Sequence, residues 1–311
     1  MECYLGCSGW NYGDTPEKGG WLDIFYPTKD TKRLRYYSEF FNTVEMDSIF
    51  YEEFYSKMTK GLFFGMVKAT PPNFEFSIKV PERITHRKKL ELDKDVISDF
   101  KEFLDKISPL YNYGKLGAIL IQLPPSFSIE YFNILEKFLD KIPRKPERGN
   151  QIDNNTITTT NKVNDNYQYA IEFRHPSWNT EGPLELLKHY NIANVITDSP
   201  EKENLSFLSN SIVSSSDHSF VRFHGRNTSS GHYWYNYLYI KKELEPWVDR
   251  ITNLKTQTKK LRIYFNNHYG GKAVINALQF KEMNSLSLND KREKSYKMRK
   301  IIIFIINLIR Y

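Results

Sequence analysis

Cysteine is nearly absent from this 311-residue chain, with only Cys3 and Cys7 present. Two thiols cannot build the disulfide framework of a small secreted fold, and a CxxxC pair without a third cysteine or clustered histidines is a poor metal site. A reducing, cytoplasmic compartment is the expectation. The opening MECYLGCSGW has no basic region leading into a long apolar run, so no signal peptide is expected. Also missing is any transmembrane-length run. The apolar-dominated stretch Ile301 to Ile309 falls well short of the roughly 20 residues that span a bilayer. Neither a glycine-rich phosphate fingerprint after the first strand nor a local ligand motif such as HExxH is found, which weighs against a dinucleotide-binding open sheet and against a bound metal.

Positive charge is present but localised. The chain carries a net charge of +7, yet residues 284–311 hold seven basic against two acidic residues, and so account for five of those seven charges. The body of the protein is close to neutral. This argues against broad phosphate-backbone binding, which needs several cations spread over one surface. The tail, KREKSYKMRKIIIFIINLIRY, reads as a terminal element packing on the main domain, with a membrane-surface anchor as the alternative. Residues 148–166, RGNQIDNNTITTTNKVNDN, are polar and lack apolar periodicity, so they read as a flexible insertion.

Between these segments lie eight short, β-rich apolar runs: 3–6, 43–46, 75–80, 117–123, 169–173, 193–197, 220–223 and 261–265. Helical patterns are expected over 33–41, 95–107, 129–141, 182–189, 241–254 and 271–283. Strands alternating with helices imply βαβ units and a parallel sheet. Eight units close a (β/α)₈ barrel, predicted here as one domain over residues 1–283, with the insertion on the face opposite the site.

The stretch YQYAIEFRHPSW sets out the expected site. Alternation places Ala170, Glu172 and Arg174 on one face of a strand that Pro176 then ends. A carboxylate and a guanidinium on a core face are costly unless paired or used. Other runs also end in polar residues: Ser8 and Trp10, Glu45 and Asp47, Lys79, Gln122, Asp198, Arg222 with His224 and Arg226, and Asn266, Asn267 and His268. Barrel enzymes draw their working groups from the C-terminal strand ends, so these residues predict one polar mouth.

The ordered motifs CSGWNYG, FFNTVEMDSIFY, FEFSIKVPERITH, LGAILIQLPPSF, AIEFRHPSW, ITDSP, FVRFHGRN and YFNNHYGGKAVINAL closely resemble those of the YecE-like family known as domain of unknown function 72. The resemblance runs from about Leu5 to Met283 and implies a single TIM-barrel-like domain. It implies a pocket but no settled reaction. Where that family usually reads VEINSTFY this chain has VEMDSIFY, so Asp47 adds a carboxylate beside Glu45.

The mixed set of acids and bases suits a small anionic or polyhydroxylated ligand, such as a sugar phosphate. Glu172, Glu45, Asp198 and His224 are the candidates to move a proton. Lys79, Gln122, Arg174, Arg222, Arg226, Asn266, Asn267, Trp10 and Tyr51 are the candidates to bind, with arginine suited to bidentate anion recognition. Lys79 is expected to keep its charge among several carboxylates and act electrostatically rather than as a Schiff-base amine. A divalent metal on Glu45, Glu172, Asp198, His224 and His268 is a possible cofactor arrangement. A nucleic-acid-binding protein using the mouth arginines and the basic tail is the alternative function.

Overall fold

A computed structural model describes residues 1–146, 166–199, 213–228 and 235–284. The expected insertion and tail therefore lie outside the described residues, apart from the bordering Asn166 and Asn284. Eight parallel strands form one sheet, β1 Glu2–Cys7, β2 Thr43–Met46, β3 Glu75–Lys79, β4 Leu116–Gln122, β5 Gln168–Glu172, β6 Ala193–Asp198, β7 His218–Phe223 and β8 Lys260–Phe265. Every strand pairs with its sequence neighbours from β2 to β8, and β8 returns to β1. This is the TIM-barrel-like topology expected from the eight runs.

Side chains rather than a ladder complete the ring between β1 and β2. One backbone bridge joins Ser8 to Glu45, and Gly9 N–H donates to the Glu45 carbonyl at 2.8 Å. Farther down, the Tyr37 hydroxyl accepts from Cys7 N–H at 2.7 Å and donates to the Thr43 carbonyl at 3.0 Å. Asn42 similarly accepts from Leu5 N–H and donates to the Cys3 carbonyl, at 3.0 and 2.9 Å. These bonds satisfy backbone groups that a missing ladder would leave buried and unpaired. Gly6 is required here, because a Cβ at that position would lie 2.1 Å from the Thr43 carbonyl oxygen.

The helices pack outside the sheet: α1 Arg33–Tyr37, α2 Glu52–Tyr55, α3 Lys60–Ala69, α4 Val96–Asn112, α5 Phe132–Lys141, α6 Glu181–His189, α7 Lys241–Gln257 and α8 Lys272–Met283. Helix α2 was not expected, the helix expected over 95–107 runs on to Asn112, and two further departures have a local cause. The helix expected over 33–41 stops at Tyr37, where the Ser38 hydroxyl bonds back to the Arg35 carbonyl at 2.8 Å and competes with the helical backbone. Helix α3 was not anticipated, because Gly61 and Gly65 each cost a helix about 1 kcal/mol. It forms because the Thr59 side chain caps it from Leu62 N–H and Phe63 and Val67 bury one stripe against the core.

Most apolar side chains lie between sheet and helices, while the barrel interior is layered. Its N-terminal end holds Arg262 paired with Glu75 and donating to Gln168 Oε1 at 2.7 Å. Above that sits a mainly apolar layer that mixes small side chains with two aromatic rings, Ala118, Leu120, Ala170, Ala193, Val195, Phe220 and Tyr264. Inward-facing residues stack in such layers in a closed barrel. The polar layer at the C-terminal end is the candidate site.

Candidate functional site

Period-two alternation makes the last inward residue of each strand a lining group of the mouth. Since Ala170 lies in the interior layer, Glu172 and Arg174 follow it inward, and Leu120 likewise brings Gln122 inward. Phe220 sets Arg222 and His224 inward, and Tyr264 sets Asn266. Glu45 and Lys79 come from β2 and β3, where Glu45 registers with Ser77 one layer below Lys79.

Arg222 is the centre of this layer. Its Nη1 donates to Glu172 Oε2 at 2.5 Å and its Nη2 to Glu45 Oε1 at 2.6 Å, so one buried guanidinium bridges two buried carboxylates. Glu172 Oε1 also accepts from Gln122 Nε2 and Arg174 Nε, both at 2.8 Å. His224 Nε2 lies 3.3 Å from the same oxygen, and its Nδ1 lies 2.9 Å from Asn266 Nδ2. An ionised Glu172 favours the tautomer with the proton on Nε2, leaving Nδ1 to accept from the Asn266 amide.

The two carboxylates experience opposite fields. Burial raises the Glu172 pKa, but Arg222, Arg174 and His224 outweigh it and hold that carboxyl well below its ordinary value. Burial also raises Glu45, and there the single contact with Arg222, opposed by Asp47 and Glu172, leaves the pKa above the ordinary value. Glu172 is held as an anion, whereas the Glu45 carboxyl holds a proton more tightly than an ordinary glutamate does. Burial, with Arg222 adding to it, depresses His224 to about 4, so its imidazole is neutral at pH 7.

Lys79 corrects the sequence expectation. Burial, followed by the charges of Arg222 and Arg174, lowers its pKa to about 7. Among the described residues no carboxylate forms an ion pair with it. Its Nζ sits 3.6 Å from the centroid of the Phe50 ring, which His86 meets edge-on at 4.7 Å. Of the carboxylates expected to hold its charge, Glu45 and Glu172 are engaged by Arg222 and Arg174, and Asp198 by Arg226.

Several buried polar atoms of this layer have no hydrogen-bond partner among the described residues, namely Ser8 Oγ, Glu45 Oε2, Thr197 Oγ1 and Arg222 Nε. Native interiors rarely leave such atoms unpaired. Ser8 follows the end of β1 in the inward phase and Thr197 stands on an inward position of β6, where it registers with Arg222. Sequence reasoning passed over Thr197 in favour of its charged neighbour. The alternation set by Val195 was the available signal.

Other expected lining groups lie elsewhere. Asp198 points outward, because inward Ala193 and Val195 assign the opposite face to it. There it accepts from Arg226 Nε and Nη2 at 2.8 and 2.6 Å, Tyr239 Oη at 2.8 Å and Trp247 Nε1 at 2.8 Å. Arg226 leaves the face of Arg222 and His224 because Gly225 adopts φ +90° and reverses the alternation. Asn267 donates to the Tyr237 carbonyl and Asn276 Oδ1, both at 2.8 Å, and so fastens β8 to α8. Trp10 packs edge-on against outward-facing Phe76 at 6.4 Å. Tyr51 is 56% exposed and feels the charges of Asp47 and Arg174, which puts it at the rim.

The candidate metal ligands do not come together. Among the described residues no three His, Cys, Asp or Glu side chains converge as ligands. Glu172 is saturated with donors, Asp198 faces the helices, and His268 is stacked on Tyr12 at 4.9 Å with its Nδ1 against the Asn266 carbonyl. No described helix is long and apolar enough to cross a membrane.

Comparison with known proteins places this architecture. A family model described as "Protein of unknown function DUF72" matches residues 4–299. UPF0759 protein YunF of Bacillus subtilis is 28% identical over 90% of this chain and 94% of its own. UPF0759 protein YecE of Escherichia coli is 28% identical over 37% of this chain and 33% of its own. The crystal structure of a DUF72 family protein from Thermotoga maritima is 30% identical, covering 92% of this chain and 100% of that one with a TM-score of 0.71. One from Enterococcus faecalis, at 24% identity, shares the fold with a TM-score of 0.66 over 92% of this chain and 98% of that one. With the motif resemblance thus matched by a family model over nearly its whole length, the chain belongs to the DUF72 family.

Proposed function

We propose that this protein is an enzyme that moves protons on a small anionic or polyhydroxylated substrate held at the C-terminal mouth of the barrel. The observation that carries this reading is the ring of unpaired buried polar atoms, Ser8 Oγ, Glu45 Oε2, Thr197 Oγ1 and Arg222 Nε. A polar ligand would satisfy them. Glu45 is the proton donor, because its carboxyl is held above its ordinary pKa. Glu172 stays charged, fixes Arg222 and polarises His224. Pairs of titratable groups with pKa values pushed apart mark acid and base assignments. The nucleic-acid alternative draws less support, since Arg222 is engaged by two carboxylates and Arg226 by Asp198.

The test is a binding and turnover screen of sugar phosphates, sugar acids and oligonucleotides, with Glu45→Gln alongside the parent. A small anion should bind both proteins, while the variant loses turnover by about 10²–10⁴-fold, the usual contribution of a positioned acid. Binding by oligonucleotides alone, unaffected by changes at Glu45 or Arg174, would overturn the reading.

A further inference from the structure

We propose that Lys79 captures carbonyl compounds: its Nζ condenses with the aldehyde or ketone carbon of a small anionic substrate to give an imine at the barrel mouth. This rests on the proton-transfer reading of the same site and adds a covalent step to it. Three geometric facts point here. First, Lys79 ends β3 on an inward position, and its strand end is pinned by Val80 N–H to the Leu120 carbonyl at 2.9 Å. Second, no carboxylate among the described residues pairs with the amine; its Nζ lies over the Phe50 ring, 3.6 Å from the centroid, a contact that favours the ammonium but is outweighed by burial and by Arg222 and Arg174. Third, Glu45 lines the neighbouring strand one layer below, its Oε2 unpaired.

The charges around the amine are Arg222, Arg174, Asp47 and Glu172, and His86 meets the Phe50 ring edge-on. Two guanidiniums beside a buried amine disfavour its protonated form, which frees the lone pair, as in lysines activated by desolvation and a cationic neighbour. The step balances. The nitrogen pair attacks the carbonyl carbon, the C=O π bond breaks, and the nitrogen passes one proton to the oxygen as the carbinolamine forms. Glu45 then protonates that hydroxyl, water leaves, and the C=N bond forms as an iminium paired with the Glu45 carboxylate. An iminium withdraws electrons from the adjacent carbon, so loss of a proton or cleavage of a bond there becomes easier.

The experiment incubates the full chain at pH 7 with glyceraldehyde 3-phosphate and sodium cyanoborohydride, which reduces an imine to a stable secondary amine, and maps the added mass by peptide. Adduct should concentrate on Lys79 at least about tenfold over exposed lysines, because a group with a pKa near 7 is about half free amine at that pH and an ordinary lysine under about 0.1%. Inorganic phosphate should compete, Lys79→Met should lose the adduct while keeping its circular dichroism, and Glu45→Gln should slow trapping. Adduct spread evenly over surface lysines, or equal trapping by Lys79→Met, would overturn the inference. Sugar-phosphate binding, read by melting shift without reductant, reports on the underlying reading separately: binding without an imine sinks only the lysine chemistry.

Discussion

Replacing Glu172 with glutamine keeps the volume at the centre of the mouth and removes one charge. In the parent, that carboxylate accepts from Arg222, Arg174 and Gln122 at 2.5, 2.8 and 2.8 Å, and neither it nor Arg222 has more than 2% of its side chain exposed. Removing one partner of a buried ion pair strands the other, at a cost of about 3–5 kcal/mol. The lower end applies here, because Glu45 still holds Arg222 Nη2 at 2.6 Å. At about 2 °C per kcal/mol for a domain this large, the melting temperature should fall by roughly 6 °C. A second consequence is more diagnostic. Glu172 is one of the charges that raise Glu45, so its loss leaves Asp47 as the remaining carboxylate opposing Arg222 there and lowers the Glu45 pKa. Thermal melts from pH 4 to 8 measure the first effect and selective ¹³C labelling of glutamate the second. A variant melting within about 1 °C of the parent would refute the view that this bridged pair organises the mouth.

Further outcomes follow from the same geometry. Gly6→Ala should unfold or severely destabilise the protein, read by circular dichroism, since its Cβ would sit 2.1 Å from the Thr43 carbonyl oxygen. Asp198→Asn should lower the melting temperature while leaving ligand affinity at the mouth unchanged, because its partners Arg226, Tyr239 and Trp247 lie on the helical side. Acid should destabilise the fold in two stages. Neutral buried His224, depressed to about 4, makes stability fall as pH drops below 6.5. Glu172, whose folded pKa is depressed, adds a second loss as pH falls below its unfolded value toward its folded one. Lys79 acts differently: its folded pKa of about 7 lies below the unfolded 10.5, so its burial penalty is full below pH 7 and fades as pH rises between the two values. Lys79→Met should therefore melt higher than the parent at pH 6, with the gain shrinking toward pH 10, in parallel denaturation curves.

Strand runs, their order and the inward set Glu45, Lys79, Gln122, Glu172, Arg222, His224 and Asn266 were legible because alternation is a local property of the backbone. The errors arose where a charged residue drew more attention than its parity. Asp198 shares its strand with inward Val195 yet sits three residues on, so alternation alone assigns it outward and Thr197 inward. Arg226 was lost to the positive φ of Gly225, which the sequence permits but does not require. The N-terminal plug of Arg262 and Glu75 was passed over, although Glu75 opens β3 and Arg262 is the third residue of β8, both on inward positions. The Lys79 error was of another kind. Its environment depends on which carboxylates arginine had already claimed, and on Phe50, an apolar residue whose ring face becomes the partner of an amine only in three dimensions.

The measurement that bears most directly on the site is the titration of its two bridged carboxyls. In protein labelled at glutamate ¹³Cδ, with Glu45→Gln and Glu172→Gln supplying the assignments, the Glu45 resonance should titrate above 4.5 and the Glu172 resonance below it. Both carboxyls titrating together in the ordinary range, or in the reverse order, would contradict the division into a proton-holding acid and a fixed anion.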